Sequence, residues 1–144
     1  MSVPASTVAG MDMEAINRKV IEQFRAGGEI DGMHRERLLL LTTKGAHTGD
    51  SHTTPMMFHP DGDRVLVMAS NAGARKPPDW YANLLAHPSV RVEIGDESYA
   101  ATATVLEGEE RERLWADITK ANPFFIDHEQ KAERQIPVVA LTHA

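Results

Sequence analysis

The alternation of hydrophobic and polar positions along the chain predicts a protein built mainly from short β-strands. A continuous apolar run over 37–43 is short and bounded by polar residues, which is typical of a buried strand. Over 89–94, the apolar residues Val90, Val92 and Ile94 alternate with polar ones and predict a half-buried strand. The same criteria predict strands over 37–43, 53–58, 64–70, 89–94, 98–106 and 136–142.

Amphipathic stretches predict helices at the start, middle and end of the chain. Asp12 is a suitable N-cap for an N-terminal helix over 12–27, in which Ile16, Val20 and Phe24 recur on one face. Residues 1–11 precede that cap and are expected to form a flexible lead-in. Three shorter helices are predicted over 78–86, 109–121 and 124–134.

The order of these elements predicts an α+β, mainly β fold. Successive strands are joined mostly by turns, such as the one over 59–63, rather than by regular crossover helices. Pro55 lacks an amide hydrogen and therefore predicts an edge or bulge position in its strand. The pattern favours an antiparallel barrel of about six strands with peripheral helices over a doubly wound parallel sheet. We expect a single domain over 1–144, with the barrel over 37–142.

Composition narrows the possible functions. The chain has 144 residues, of which 42% are hydrophobic, and this suits one domain with a real core. The absence of cysteine excludes disulfides, cysteine-ligated zinc, iron–sulfur clusters and a cysteine nucleophile, and it fits a reducing, cytoplasmic setting. No apolar stretch is long enough to span a membrane, and no basic signal-peptide region is seen. Contact of the N-terminal helix with a membrane surface is left open.

The distribution of charge adds a feature that the total conceals. A net charge of −6 argues against nucleic acid as a partner. The segment 34–92 nevertheless has seven basic and five acidic residues, and it contains five of the seven histidines. This pattern is either scatter on a solvated surface or the sign of an anion-binding site.

A glycine-containing loop between the first two predicted strands is the best candidate for anion binding. In the loop over 44–49, Gly45 and Gly49 flank polar residues, so backbone N–H groups can turn towards an anion while Lys44 and Thr48 add donors. The loop lacks the sequence of a Walker P-loop or a Rossmann fingerprint. An ordinary connection between two strands is the alternative interpretation.

Other candidate sites are less specific. Small residues over 68–73 end a strand and would let a planar ligand approach the backbone, although tight packing explains them equally well. Asn83 could anchor a neighbouring loop or a ligand carbonyl. His47, Asp50 and His52 lack the spacing of a known metal site, so no metal is expected. No serine lies in a nucleophile-elbow motif.

Several short motifs together resemble a known family. They occur in the order Leu40-Leu41-Thr42-Thr43-Lys44-Gly45, Thr48-Gly49, Thr54-Pro55, Ala69-Ser70, Gly73, Pro78, Trp80-Tyr81, Asn83-Leu84, His87-Pro88 and Ile136-Pro137-Val138-Val139. This string resembles the deazaflavin-dependent nitroreductases, actinobacterial reductases that use reduced coenzyme F420. The resemblance implies a split β-barrel related to flavin-mononucleotide oxidases. It also implies hydride transfer from the deazaflavin to an electron-poor acceptor, such as a quinone, an enone or a nitro compound.

The resemblance also implies which residues form the site. The loop and the strand after it would hold the phosphate and polyglutamate tail, the strand end would lie against the ring, and the Trp-Tyr helix would complete the pocket. The coenzyme site would then comprise Lys44, Ala46, His47, Thr48, Gly49, His52, Thr53, Thr54, Pro55, Met56, Met57, Met68, Ala69, Ser70, Asn71, Trp80, Tyr81 and Asn83. The acceptor would lie near Met57 and the segment 122–128, which includes Phe125 and His128. Ser70 is the candidate catalytic donor to the developing oxyanion.

Departures from the family pattern leave alternatives open. Arginine or lysine is common in the family where this chain has Ala46, His47 and His52, which predicts weaker and pH-dependent phosphate binding. Segment 122–128 has no tyrosine, so nitroimidazole reduction is not expected. The alternatives are a non-catalytic flavin-, haem- or lipid-binding protein on the same barrel, and an oxidase that uses FMN. Either a monomer or a homodimer is compatible with the sequence.

Overall fold

The computed structural model describes residues 5–30 and 34–144, which form four helices and seven strands within those ranges. Two short 3-10 turns, Arg35–Arg37 and Asn71–Gly73, accompany them. The helices are α1 (Ala5–Ala26), α2 (Asp79–Ala86), α3 (Gly108–Ala121) and α4 (Phe124–Ala132). The strands are β1 (Leu38–Lys44), β2 (Ser51–Met57), β3 (His59–Asp61), β4 (Arg64–Met68), β5 (Ser89–Ile94), β6 (Glu97–Val105) and β7 (Val138–His143).

All seven strands pair in one antiparallel sheet, in the order β2-β1-β5-β6-β7-β4-β3. The sheet curls so that β2 also contacts β4, which gives the half-barrel shape of a split barrel. The predicted mainly β, antiparallel barrel with peripheral helices is therefore confirmed. Pro55 lies on β2, at one edge of the sheet, as its missing amide hydrogen requires.

The structure differs from the predicted six strands by one short hairpin. The segment 59–63, predicted to be a turn, contains the edge strand β3, and the turn itself is limited to Gly62 and Asp63. Gly62 adopts a positive φ of 61°, which a tight two-residue turn needs. Arg64 donates from Nε to Asp61 Oδ2 at 2.8 Å, across the ends of the two strands. Pro60 is accommodated because β3 is an edge strand.

The N-terminal helix begins earlier than predicted. It starts at Ala5 instead of at the candidate cap Asp12, so most of the predicted flexible lead-in is helical, while residues 1–4 lie outside the described part. Ala5, Ala9 and Met11 are good helix formers, and this propensity extends the helix through Asp12. The predicted C-terminal end is confirmed: the helix stops at Gly27, whose φ is +79°.

The strands whose sequences are continuous apolar runs are buried on both faces of the sheet. Leu39 and Leu41 of β1 face the interior of the half-barrel, whereas Leu38 and Leu40 face α1. The same alternation in β4 and β7 divides their residues between the interior and the layer formed by α3 and α4. The interior cluster consists of Leu39, Leu41, Val67, Ala69, Trp80, Leu84, Val90, Val92, Ala101, Val139 and Leu141.

A buried arginine joins α3 to α4 and β7. The Arg111 side chain is 5% exposed, and its Nη2 donates to Glu129 Oε2 at 3.2 Å and to the Ile136 carbonyl. Glu129 also accepts the Ile136 N–H at 3.0 Å, and the Arg111 guanidinium lies 4.6 Å from the Trp115 ring centroid. This network fixes the layer that supports the end of β4. Over the described residues, none of the helices is long and apolar enough to cross a membrane.

Candidate functional site

A groove of about 790 Å³ opens at the rim of the half-barrel, between the β1–β2 loop, β2 and α2. Trp80 and Asn83 of α2 form one wall, and the loop over 45–48 forms the other. A cavity of about 280 Å³ adjoins it, shares Thr54, Lys76, Asp79 and Trp80 with it, and extends to Asn71 at the end of β4. The groove lining comprises Gly45, Ala46, His47, Thr48, Ser51, His52, Thr53, Thr54, Lys76, Asp79, Trp80, Ala82 and Asn83.

Asn83 ties the β1–β2 loop to α2. Its Oδ1 accepts the Ala46 N–H at 3.0 Å, and its Nδ2 donates to Thr43 Oγ1 at 3.1 Å in a buried position. Both ends of the amide are thus used within the protein. Of the two roles that the sequence allowed for Asn83, the geometry supports that of loop anchor, although the residue also lines the groove.

The loop over 44–50 is compact because a glycine occupies its most crowded position. A Cβ on Gly45 would lie 2.6 Å from Thr48 Oγ1 and 3.1 Å from His52 Nε2, so a larger residue would displace one of them. Gly45 donates its N–H to the Asp50 carbonyl at 2.7 Å, and Gly49 donates to the Gly45 carbonyl at 3.0 Å. The His52 ring is therefore held against the loop, next to the Thr48 hydroxyl.

Cationic and ionisable groups dominate the charge of the groove. His47, His52 and Lys76 line it, with Asp79 as the acidic residue among its lining. The side chain of Lys44 runs beside the loop, with its Cε 3.6 Å from the position of a Cβ on Gly49. The imidazole groups of His47 and His52, beside the Lys76 ammonium, make this groove a suitable site for an anion.

Arg75, which the sequence placed among the cations of this region, is directed elsewhere. Its guanidinium pairs with Glu133, the residue that follows α4. Arg75 therefore does not add to the charge of the groove lining. Lys76, the next residue, lines the groove and adds positive charge to it.

The predicted β2 residues divide between the two faces of the sheet. On β2, His52, Thr54 and Met56 pair with Thr43, Leu41 and Leu39 of β1, respectively. These positions of both strands face the barrel interior. The intervening residues face the side covered by α1, where Met57 packs against the α1 cluster and the Thr53 hydroxyl lies 2.8 Å from that of Thr42. Pro55 pairs with Leu40 on that same side.

The end of β4 leads into a turn with unusual backbone geometry. Ala69 is buried in the barrel interior, Met68 is buried in the α3–α4 layer, and Ser70 is 8% exposed. Asn71 and Ala72 both have positive φ values, 48° and 54°. Within the described structure the Ser70 side chain makes no capping hydrogen bond to this turn.

Arg134, which sequence reasoning missed, holds this turn from behind. Its Nη2 donates to the carbonyls of Ala69 and Ser70 at 3.1 and 3.2 Å, and its Nε donates to the Ala74 carbonyl at 3.1 Å. No local pattern indicates this role, because the contacts span 60 to 65 positions of the chain.

Trp80 and Tyr81 of α2 point to different cavities. Trp80 is buried and lines both parts of the groove. Tyr81 instead lines a separate cavity of about 210 Å³ with Arg111 and Glu107. Burial raises the pKa of the Tyr81 phenol, and the charge of Arg134 opposes the shift. The two aromatic residues predicted to complete one pocket are thus not brought together around the groove.

The residues predicted to contact the acceptor lie behind the groove. Phe125 is 4% exposed in the α3–α4 layer, and its ring centroid lies 5.8 Å from that of His128. His128 backs the turn at the end of β4: a Cβ on Gly73 would lie 3.3 Å from its backbone. Phe124, 38% exposed, is the more accessible aromatic residue of this helix. Among the described side chains, His, Asp and Glu form no group of three that could hold a metal ion.

Comparison with known proteins identifies the family. The model of the F420H(2)-dependent quinone reductases matches residues 16–143. The F420H(2)-dependent quinone reductase Rv1261c of Mycobacterium tuberculosis is 36% identical over 107 residues, which are 72% of each chain.

Two solved structures share the fold at similar identity. A structure described as an F420-H2-dependent reductase (FDR-A) has a TM-score of 0.68 and 36% identity, and the match covers 76% of this chain and 99% of the other. A second, described as a domain-swapped dimer, has a TM-score of 0.70 and 35% identity, over 86% and 95% of the two chains.

Fold and groove together define a split-barrel oxidoreductase that works with a small-molecule substrate. The chain belongs to the F420H(2)-dependent quinone reductase family. Its cofactor is reduced coenzyme F420, as the resemblance implied.

The residues present fit this coenzyme. F420 carries a phosphate and a polyglutamate tail, so it needs a long groove with cationic groups. The groove has the length of both adjoining cavities and is lined by His47, His52 and Lys76. The N–H groups of Ala46 and Gly49 are bonded within the protein, and those of the exposed residues His47 and Thr48 are the donors that the loop can offer.

Proposed function

We propose that the chain binds reduced F420 along the groove, with the anionic tail at the β1–β2 loop and the ring at the end of β4. The charge of the groove supports the placement of the tail, because His47 and His52 lie at its loop end and Lys76 lines the junction of the two cavities. The shape of the second cavity supports the placement of the ring, because Trp80 and Pro78 give it an apolar wall next to Asn71. A planar ring is well suited to such a surface.

The bound coenzyme supplies a hydride, and a quinone that accepts it together with a proton becomes a hydroquinone. The protein's task is to orient the two reactants, exclude water and stabilise negative charge on the acceptor oxygen. Ser70 is the residue that we assign to the last task. Ser70 directly precedes Asn71, which lines the proposed ring site, and its side chain makes no capping hydrogen bond to the turn in the described structure.

A quinone fits the surroundings of this site better than a strongly polar acceptor. Phe124 of α4 is partly exposed, and α4 packs directly on the turn that follows Ser70. Phe124 presents its ring on that side and is backed by the buried Phe125, with 4.4 Å between the ring centroids. An aromatic face of this kind binds a flat apolar ring. Among the acceptor classes that the sequence allowed, we therefore propose quinones as preferred over enones and nitro compounds.

We also propose that the protein forms a homodimer and works in the cytoplasm. The structural neighbour described as a domain-swapped dimer is 35% identical to this chain, which supports a dimeric assembly. The absence of cysteine in all 144 residues suits a reducing compartment.

The role of Ser70 is tested by the Ser70→Ala variant, with Ser89→Ala, at an exposed position of β5, as the control. Loss of one hydrogen bond to a developing oxyanion lowers turnover by about 100-fold or more. We expect kcat for a soluble naphthoquinone to fall to that extent in Ser70→Ala, with the coenzyme Kd changed less than about threefold. A variant that loses affinity but keeps kcat would assign Ser70 to coenzyme binding instead.

A further inference from the structure

The guanidinium of Arg134 donates hydrogen bonds to three backbone carbonyls of one short segment. Ala69 and Ser70 offer theirs to Nη2, at 3.1 and 3.2 Å, and Ala74 offers its carbonyl to Nε at 3.1 Å. These contacts hold the residues just before and just after the turn Asn71–Gly73, which follows β4. Arg134 itself lies between α4 and β7, so it links the turn to the part of the chain that also supplies Ile136 and Val138 to the core.

This turn has a strained backbone that the hydrogen bonds of Arg134 can stabilise. Asn71 and Ala72 are consecutive non-glycine residues with φ values of 48° and 54°. The left-handed region costs an L-residue roughly 1–2 kcal/mol, and alanine has no side-chain group to offset the cost. Backbone strain of this kind persists when surrounding contacts hold it, and it is concentrated at ligand-binding sites.

The turn is also connected to the groove. Asn71 donates from Nδ2 to the Lys76 carbonyl at 3.0 Å, so the position of the turn sets that of the segment before α2. Lys76 lines both adjoining cavities, and Asn71 lines the smaller one. A displacement of the turn would therefore move Asn71, the Ser70 hydroxyl and a groove cation together.

We propose that Arg134 is a positioning residue of the coenzyme site. By holding the carbonyls of Ala69, Ser70 and Ala74, it keeps the strained turn in the shape that directs Ser70 and Asn71 towards the bound deazaflavin and the acceptor. The proposal rests on the proposed function, because the turn is assigned there to the ring end of the groove. In this role Arg134 acts through the turn, and direct contact with the coenzyme is not required of it.

The forked shape of the side chain is essential to this role. A guanidinium presents donors in several fixed directions, whereas a lysine ammonium is a point charge on a flexible stem. Lysine at position 134 would keep the positive charge and could not reach three carbonyls at once. A comparison of Arg134→Lys with Arg134→Met therefore separates the effect of geometry from that of charge.

The experiment uses the full chain with coenzyme F420 and a soluble naphthoquinone. Arg134→Lys and Arg134→Met are compared with wild type and with Arg75→Met, which removes an exposed arginine from the same segment. Three quantities are measured: hydrogen–deuterium exchange over 69–76, the Kd of the coenzyme, and the single-turnover rate at saturating reduced coenzyme. The rate is expressed per coenzyme-binding site, so that a loss of folded protein alone does not change it.

The proposal predicts faster exchange confined to 69–76 and an increase in Kd of about tenfold in both Arg134 variants, as for the loss of charge-assisted hydrogen bonds. It also predicts a lower single-turnover rate at saturation, with Arg75→Met like wild type in all three measurements. Unchanged exchange and rate, or full retention of both by Arg134→Lys, would overturn it. A wild-type protein that binds no F420 would instead overturn the proposed function.

Discussion

The amide of Asn83 stands between the backbone of Ala46 and the hydroxyl of Thr43, accepting from one at 3.0 Å and donating to the other at 3.1 Å. One side chain of α2 thereby holds the first strand and the loop that follows it. The loop is the part of the groove assigned to the anionic tail. The rigidity of the tail site thus depends on a residue of another element.

Replacement of Asn83 by alanine should weaken both the fold and the site. Thr43 Oγ1 lies in a buried position and would lose its partner, which costs about 1–3 kcal/mol in the free energy of unfolding. The coenzyme Kd should rise, because the loop is no longer held. Thr43→Val, which removes the hydroxyl partner and keeps Asn83 as the acceptor for Ala46, should retain more of the affinity. Urea unfolding and fluorescence titration measure the two effects, and equal affinities for both variants would contradict the anchoring role.

The histidines of the groove should contribute to coenzyme binding. His47 and His52 line the groove at the loop assigned to the anionic tail, so their loss should raise the coenzyme Kd.

The test compares the coenzyme Kd of wild type with that of the His47→Gln/His52→Gln double variant at one pH. The Kd should rise by about two- to fivefold per histidine, the effect of an exposed ion pair. His59→Gln, on β3, is the control. A double variant that binds the coenzyme as wild type does would show that these histidines are not partners of the tail.

Gly73 should tolerate no side chain. Its φ is +84°, and a Cβ would lie 3.3 Å from the His128 backbone, which belongs to a packed helix and cannot move freely. Gly95 is a matched control, since its φ is +57° and a Cβ there would meet nothing within 4 Å. Gly95→Ala should cost about 1 kcal/mol of unfolding free energy, the conformational cost alone.

Gly73→Ala should cost at least about 1 kcal/mol more, because backbone contacts must also shift. It should reduce turnover, since α4 would be pushed from the turn that carries Ser70. Denaturation and steady-state kinetics on the two variants check this. Equal losses of stability would show that the contact with α4 is not tight.

The Arg111 network should support the fold without affecting the coenzyme. Glu129 accepts from both Arg111 and the Ile136 N–H, so Glu129→Gln should lower the unfolding free energy by about 1–3 kcal/mol. Glu112, 62% exposed, also pairs with Arg111, and Glu112→Gln should cost less than about 1 kcal/mol. Both variants should bind coenzyme as wild type does. A raised Kd in Glu129→Gln would connect this network to the site.

The fold could be predicted from the sequence where local patterns decide it. Strand positions followed from apolar runs, and the sheet edge at Pro55 followed from its missing amide hydrogen. The start of α1 was wrong because the cap signal of Asp12 was outweighed by the helix propensity of the preceding alanines. The hairpin of β3 was missed because three residues are too few to show a period.

The site was predicted less completely, because long-range contacts and side-chain direction decide it. The loop over 44–49 and Asn83 do come together around one groove. The direction of Tyr81 and the inward burial of Phe125 depend on how α2 and α4 pack, which no short motif encodes. Arg134 acts on residues about 60 positions away, so neither spacing nor composition could indicate it.

Fluorescence titration of the purified protein with F420, together with FMN as a competitor, tests the central claim most directly. The account predicts saturable binding with a Kd on the order of micromolar, weakened at least about tenfold by Lys76→Gln combined with His47→Gln and His52→Gln, and no competition from FMN. Addition of a quinone to the complex with reduced F420 should regenerate the oxidised coenzyme. Absence of F420 binding, with tight binding of FMN, would contradict the account.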